Sequence, residues 1–203
     1  KVDVTADGAT AVTVNAAVDM DLTNSSFDVA KAFTITGAGA VKLVEDGSFT
    51  ATGTIDASGN TGGVTVATAL LNDMVFTGGA GNDTISVAAT TKDHTMGAGD
   101  DKVTADLTSG ALGVSGSIDA GDGVDTLSLD FGDAAAADAN TLFAETISGF
   151  ERLLVNNSVT SGTTLNLENL GFTDYVTTSG TSANKITFAA MFNPVTADDD
   201  VLS

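Results

Sequence analysis

Gly78-Gly79-Ala80-Gly81-Asn82-Asp83-Thr84-Ile85-Ser86 returns as Met96-Gly97-Ala98-Gly99-Asp100-Asp101-Lys102-Val103-Thr104, and again as Ala120-Gly121-Asp122-Gly123-Val124-Asp125-Thr126-Leu127-Ser128. Asp83, Asp101 and Asp125 are therefore 18 and then 24 residues apart. A fixed period sets an architecture before local propensity does. A spacing of 18 residues suits one coil of two short strands and two turns, and such coils stack about 4.8 Å apart. Asp83 and Asp101 are then expected one above the other on one edge. Asp125 follows after six extra residues, for which Ser109-Gly110-Ala111-Leu112-Gly113 is the natural place.

Outside the repeat, short β-branched runs recur at Val12-Thr13-Val14, Phe33-Thr34-Ile35, Val41 to Val44, Val64-Thr65-Val66, Ile85-Ser86-Val87 and Leu127-Ser128-Leu129. Each reads as a strand. Gly, Asn, Asp and Ser lie between them, and 23 Gly against one Pro suits many sharp corners. A second echo pairs Gly53-Thr54-Ile55-Asp56-Ala57-Ser58 with Gly116-Ser117-Ile118-Asp119-Ala120-Gly121. One stretch departs from this texture. From Asp133 through Ala134, Ala135, Ala136, Ala137, Leu142 and Phe143 the chain predicts a helix of about three turns, stopped by Gly149 and followed by a strand at Leu153-Leu154-Val155. The remainder, through Leu165, Leu167, Phe172 and Ile186 to Met191, returns to strands and turns.

Seven Lys plus Arg against 27 Asp plus Glu leave a formal net charge of -20, which repels nucleic acid, anionic lipid and the chain itself unless cations bind. Hydrophobic residues make up 42% of the chain, more than an acidic disordered segment carries, so it is expected to fold. Cysteine is absent, and bound metal is the usual substitute for disulfide staples. No stretch approaches the roughly 20 apolar residues of a membrane helix, so membrane insertion is not expected. No basic-then-apolar signal segment opens the chain at Lys1, which fits a mature form, a fragment or export through a C-terminal signal.

The metal chemistry follows from the turns. Ca²⁺ takes six to eight oxygens, at about 2.3–2.6 Å, from carboxylates and main-chain carbonyls. Glycines let carbonyls point inward, and one aspartate per turn adds charge. The candidate ligand residues are Gly78, Gly79, Ala80, Gly81, Asn82 and Asp83 in the first turn, Gly97, Ala98, Gly99, Asp100 and Asp101 in the second, and Gly121, Asp122, Gly123 and Asp125 in the third. One turn cannot complete the shell, but two stacked turns can, so metal binding becomes folding energy. One ion is expected between the turns of Asp83 and Asp101, and a second between those of Asp101 and Asp125, where the six-residue insertion allows the site to be open, hydrated or absent. The apolar residue two places after each aspartate (Ile85, Val103, Leu127) fills the coil interior. The expected fold is thus all-β: a parallel β-solenoid (β-roll or β-helix) with Ca²⁺-binding turns and one short flanking helix. It forms a single domain over residues 1–203, with calcium-poor coils at 1–77, calcium-binding coils at 78–131, and a helix insertion with C-terminal strands at 132–203.

Gly78 to Ser86 resemble, at every position, the RTX or haemolysin-type calcium-binding nonapeptide, and the second and third copies depart only at the first glycine, held by Met96 and Ala120. The resemblance covers about a quarter of the chain. Gly53 to Ser58 followed by Val64-Thr65-Val66, and Asp125-Thr126-Leu127 followed by an Ala-rich helix and Ile147-Ser148-Gly149-Phe150-Glu151, are similar to segments of RTX-type surface-layer proteins of Gram-negative bacteria. That likeness implies type I secretion and a Ca²⁺-dependent two-dimensional lattice on the cell surface.

Catalysis is not expected. The chain has one histidine, His94, one tyrosine, Tyr175, no cysteine and no Gly-x-Ser-x-Gly elbow. His94 is read as a polar residue on the turn opposite the acidic edge, and the lone Arg152 as the ion-pair partner of Glu151. A lyase acting on uronates would need more cationic groups than this. Asp19 with Asp21, Glu45 with Asp46, and Asp198-Asp199-Asp200 are read as solvated turns or tail, and Gly37-Ala38-Gly39-Ala40-Val41 as a calcium-free corner with Val41 near the aspartate's place. Two functions remain: a secreted structural protein self-associating into a lattice, with surface glycan or lipopolysaccharide as a candidate partner, or an adhesin or accessory module of a secreted hydrolase. Chelator, or protonation of the aspartates below about pH 4, is expected to unfold either one.

Overall fold

The structure, a computed structural model, describes residues 1–27, 30–44, 49–107, 111–112, 115–156, 164–172, 174–177 and 187–189. Glu45, Asp46, Ser109, Gly110, Gly113, Ile186, Met191 and Asp198 to Asp200 lie outside the described residues. The strands in chain order are β1 (Ala11–Asn15), β2 (Met20–Asp21), β3 (Ala30–Gly37), β4 (Val41–Leu43), β5 (Phe49–Asn60), β6 (Val64–Leu70), β7 (Val75–Thr77), β8 (Thr84–Val87), β9 (Asp93–Thr95), β10 (Lys102–Ala105), β11 (Ser117–Asp119) and β12 (Asp125–Leu129). Helix α1 (Phe131–Asp138) follows, then β13 (Ile147–Ser148), β14 (Phe150–Val155), β15 (Thr164–Asn166), the single turn α2 (Leu167–Leu170), β16 (Asp174–Thr177) and β17 (Thr187–Ala189).

Odd strands stack as β1-β3-β5-β7-β9-β11-β13 and even strands as β2-β4-β6-β8-β10-β12-β14-β16, while β15 and β17 form a separate pair. Every pairing is parallel, so the chain alternates from one sheet to the other and climbs one strand per circuit. This is a parallel β-solenoid. Alternation along each strand sends one set of side chains inward. Ile85, Val103 and Leu127 pair in register and are buried. In the other sheet Phe33, Ile55 and Phe76 make a matching inner column. The echo of Gly53–Ser58 in Gly116–Gly121 has the same explanation, since Ile55 and Ile118 are inward residues of one sheet.

The connection from β10 to β11 is six residues longer than that from β8 to β9, and it lies on the side away from the Gly-Asp turns. The extra length between Asp101 and Asp125 therefore leaves the acidic edge in step.

Two expectations are corrected. The helix starts at Phe131 because Asp130 caps it, its carboxylate accepting from Asp133 N at 2.7 Å, and it ends at Asp138. It buries Phe131, Ala134 and Ala137 at helical spacing. Asn140 stops it: its side-chain oxygen accepts from Leu142 N at 3.1 Å, drawing the backbone out of the helical ladder, and Phe143 falls in a separate 3₁₀ turn. His94 is on no turn. It sits in the middle of β9 with 1% of its surface exposed, at an inward position paired with Ile118. Phe76 N donates to its Nδ1 at 3.2 Å, and Nε2 lies 3.1 Å from Thr90 Oγ1. That network places the proton on Nε2, because Nδ1 must accept and Thr90 Oγ1 is free to accept while it donates to Asn72 O. Burial lowers the His94 pKa to about 4.

Candidate metal centre

One edge of the solenoid carries the links from odd to even strands, and the three repeat turns stack there between β7 and β8, β9 and β10, and β11 and β12. All three aspartates turn inward and are at most 1% exposed. Each reaches back one coil. Asp83 Oδ1 accepts from Val64 N, Asp101 Oδ1 from Asp83 N, and Asp125 Oδ1 from Asp101 N, all at 2.6 Å. Glu151 continues the ladder, its Oε2 accepting from Asp125 N at 2.7 Å. A register shift where β12 meets β14 gives Glu151 that place, since Asp125 pairs with Phe150 and Thr126 with Arg152. The expected Glu151–Arg152 pair is therefore corrected: the carboxylate serves Asp125, and Arg152 is exposed on the outer face.

A second, exposed ladder runs the other way. Asp100 N donates to Asn82 Oδ1 and Val124 N to Asp100 Oδ1, each at 3.0 Å. Main-chain bonds complete the stitching: Ala98 N to Gly79 O, Asp122 N to Gly97 O and Gly99 N to Asp122 O.

The glycines are required by how closely the turns approach. Gly97 and Gly121 have φ of +103° and +94°, which L side chains rarely adopt. A Cβ on Gly121 would also overlap Gly97 O, and one on Gly97 would overlap Gly79 O.

The electrostatics of the column are unbalanced. Asp83 finds donors for both oxygens, with Gly79 N reaching Oδ2 at 3.0 Å. Asp101 Oδ2 and Asp125 Oδ2 are buried without a partner. These lie in the two turns where Met96 and Ala120 replace the first glycine. Burial raises Asp83 to about 6, Asp101 to about 7 and Asp125 to about 6, with neighbouring carboxylates adding to the rise at Asp101 and Asp125. Buried oxygens of this kind call for a proton or a cation.

The donor set fits a hard cation. Among the described residues no three acidic or histidine side chains converge on one point, so further ligands would be main-chain carbonyls of the stacked turns, which keep a lone pair beyond their ladder bond. Asp101 spans the step to Asp83 and Asp125 the step to Asp101, so one unpartnered oxygen lies at each of the two steps. Of the other sequence candidates, Asn82, Asp100 and Asp122 are exposed at the rim. Val41 stands in the aspartate column, paired with Val64, whose N–H meets Asp83.

Sequence reasoning missed the Glu151 cap and Asn60. Asn60 is 1% exposed and joins two turns of this edge through its amide. Its signal was position, at the end of a strand and just before Gly62-Gly63. No family model, curated protein or solved structure matches the chain.

Proposed function

We propose that the chain is a calcium-dependent, extracellular structural protein of the RTX type, a subunit or piece of a bacterial surface-layer lattice, and not an enzyme. The observation that carries the metal reading is the pair of buried, unpartnered carboxylate oxygens, Asp101 Oδ2 and Asp125 Oδ2, on one glycine-lined edge. Asp101 and Asp125, with carbonyls of the turns before them, would hold the ion. Calcium supplies the positive charge the column lacks and ties adjacent coils together. The formal charge of -20 and the resemblance of the repeat to RTX nonapeptides support an extracellular, calcium-rich setting, where sites of this class bind at roughly 10⁻⁴ to 10⁻³ M.

The test is calcium titration of the purified chain, followed by circular dichroism and by electron microscopy. Saturable stabilisation followed by sheets or higher oligomers supports the lattice. Stabilisation of a persistent monomer points instead to an adhesin or accessory module. Stability and spectrum indifferent to both calcium and chelator overturn the reading.

A further inference from the structure

We propose that Asn60 is a built-in stand-in for a bound cation, so that the N-terminal coils hold their glycine edge without metal while the coils from Asp83 onward need it. The second half of this statement rests on the function proposed above; the first does not.

Asn60 ends β5 and is buried at the turn edge. Its Nδ2 donates to Gly37 O and Gly39 O, both at 3.0 Å, in the preceding coil. Its Oδ1 accepts from Gly62 N at 3.0 Å and Gly63 N at 2.8 Å in its own turn. Both amide protons and both oxygen lone pairs are used. The electropositive end of the amide thus sits between two main-chain oxygens of one turn, while the other end grips the next. Drawing carbonyl oxygens of one turn toward another is what a cation does at such an edge, and here a neutral side chain does it.

The column beside it agrees. Where later coils place Asp83, Asp101 and Asp125, the earlier ones place Val41 and Val64, both buried. The N-terminal edge therefore has no inward carboxylate in this column to neutralise, and no metal is missed. Asp19 Oδ1 accepting from Ala40 N at 2.9 Å adds a further metal-free stitch. The change of chemistry falls between Val64 and Asp83. In a solenoid each coil is stabilised by its neighbours, so a metal-independent block at one end is a preformed surface on which metal-dependent coils add as calcium arrives.

Amide hydrogen exchange of the whole chain, in millimolar calcium and in excess chelator, tests this with wild type, Asn60→Ala and Asn60→Asp. In chelator, wild-type amides of β3, β4 and the turn 61–64 are expected to stay protected while those of β10 and β12 exchange at least about tenfold faster. Asn60→Ala is expected to lose the N-terminal protection with or without calcium. Asn60→Asp turns a carboxylate toward Gly37 and Gly39 oxygens, and its N-terminal protection is expected to return only with calcium. If both halves of the wild type lose protection together in chelator, Asn60 does no such work, though the calcium reading stands. If neither half responds to chelator the calcium reading falls, and Asn60 is then judged on its variants. N-terminal protection in chelator that is equal in wild type, Asn60→Ala and Asn60→Asp overturns the inference.

Discussion

Asp101 receives repulsion from Asp83, Asp125 and Asp100 while one of its oxygens is buried without a partner. Asp101→Asn keeps an acceptor for Asp83 N and removes the charge, so its effect should have opposite signs in two conditions. Without metal at pH 8 the variant should melt several degrees above wild type, and with calcium it should gain little. Paired thermal melts with calcium and with chelator measure both. The same shifts fix the pH dependence. Asp83, Asp101 and Asp125 have folded pKa values above the ordinary 3.8, so the folded chain holds these protons more tightly than the unfolded one. Their contribution is fully present below about 3.8 and is lost as pH rises through 6 to 7. His94 runs the other way, its contribution present above its usual 6.5 and lost as pH falls toward 4. Three groups outweigh one, and metal-free protein should be more stable at pH 5 than at pH 8 in a denaturant titration. Where the sequence reading expects acid and chelator alike to unfold the chain, these shifts predict different outcomes: a proton would take the place of the proposed cation on the column, whereas a chelator would leave the charge bare.

At the scale of elements, the closeness of the turns decides. Gly121→Ala puts a methyl group against Gly97 O at a φ of +94°, and a loss on the order of 2–4 kcal/mol is expected, read from the denaturation midpoint in calcium. Element identity was legible where residues alternate strongly, as in Phe33-Thr34-Ile35 and Ile85-Ser86-Val87, because one face of such a strand must be buried. It was not legible at Met20–Asp21 or Asp93–Thr95, which are too short to show a period and pair only because their neighbours are already stacked. His94 was misplaced for that reason, since a polar residue inside a three-residue strand looks like a turn. The aspartate column was legible from spacing alone. The Glu151 cap was not, because a bulge shifts it by one residue relative to Asp125.

For the whole molecule, the solenoid makes folding a chain of neighbour contacts. Excess chelator at neutral pH should reduce the far-UV β signal, and calcium should restore it, with scattering or negative-stain images reporting any assembly. Among the described residues no helix is long and apolar enough to cross a membrane. The two long sides of the coil obey different rules. The three Gly-Asp turns of the acidic edge share one length, because each aspartate reaches back to one particular N–H, while the shorter link from β13 to β14 carries the ladder on through the longer Glu151 side chain. The far side carries five residues between β8 and β9, eleven between β10 and β11, and a capped helix within the seventeen between β12 and β13, with the ladder unbroken throughout. That blunt flank is therefore where new sequence can be grafted or acquired by descent, giving a scaffold whose displayed surface can diversify freely while its spine stays in phase.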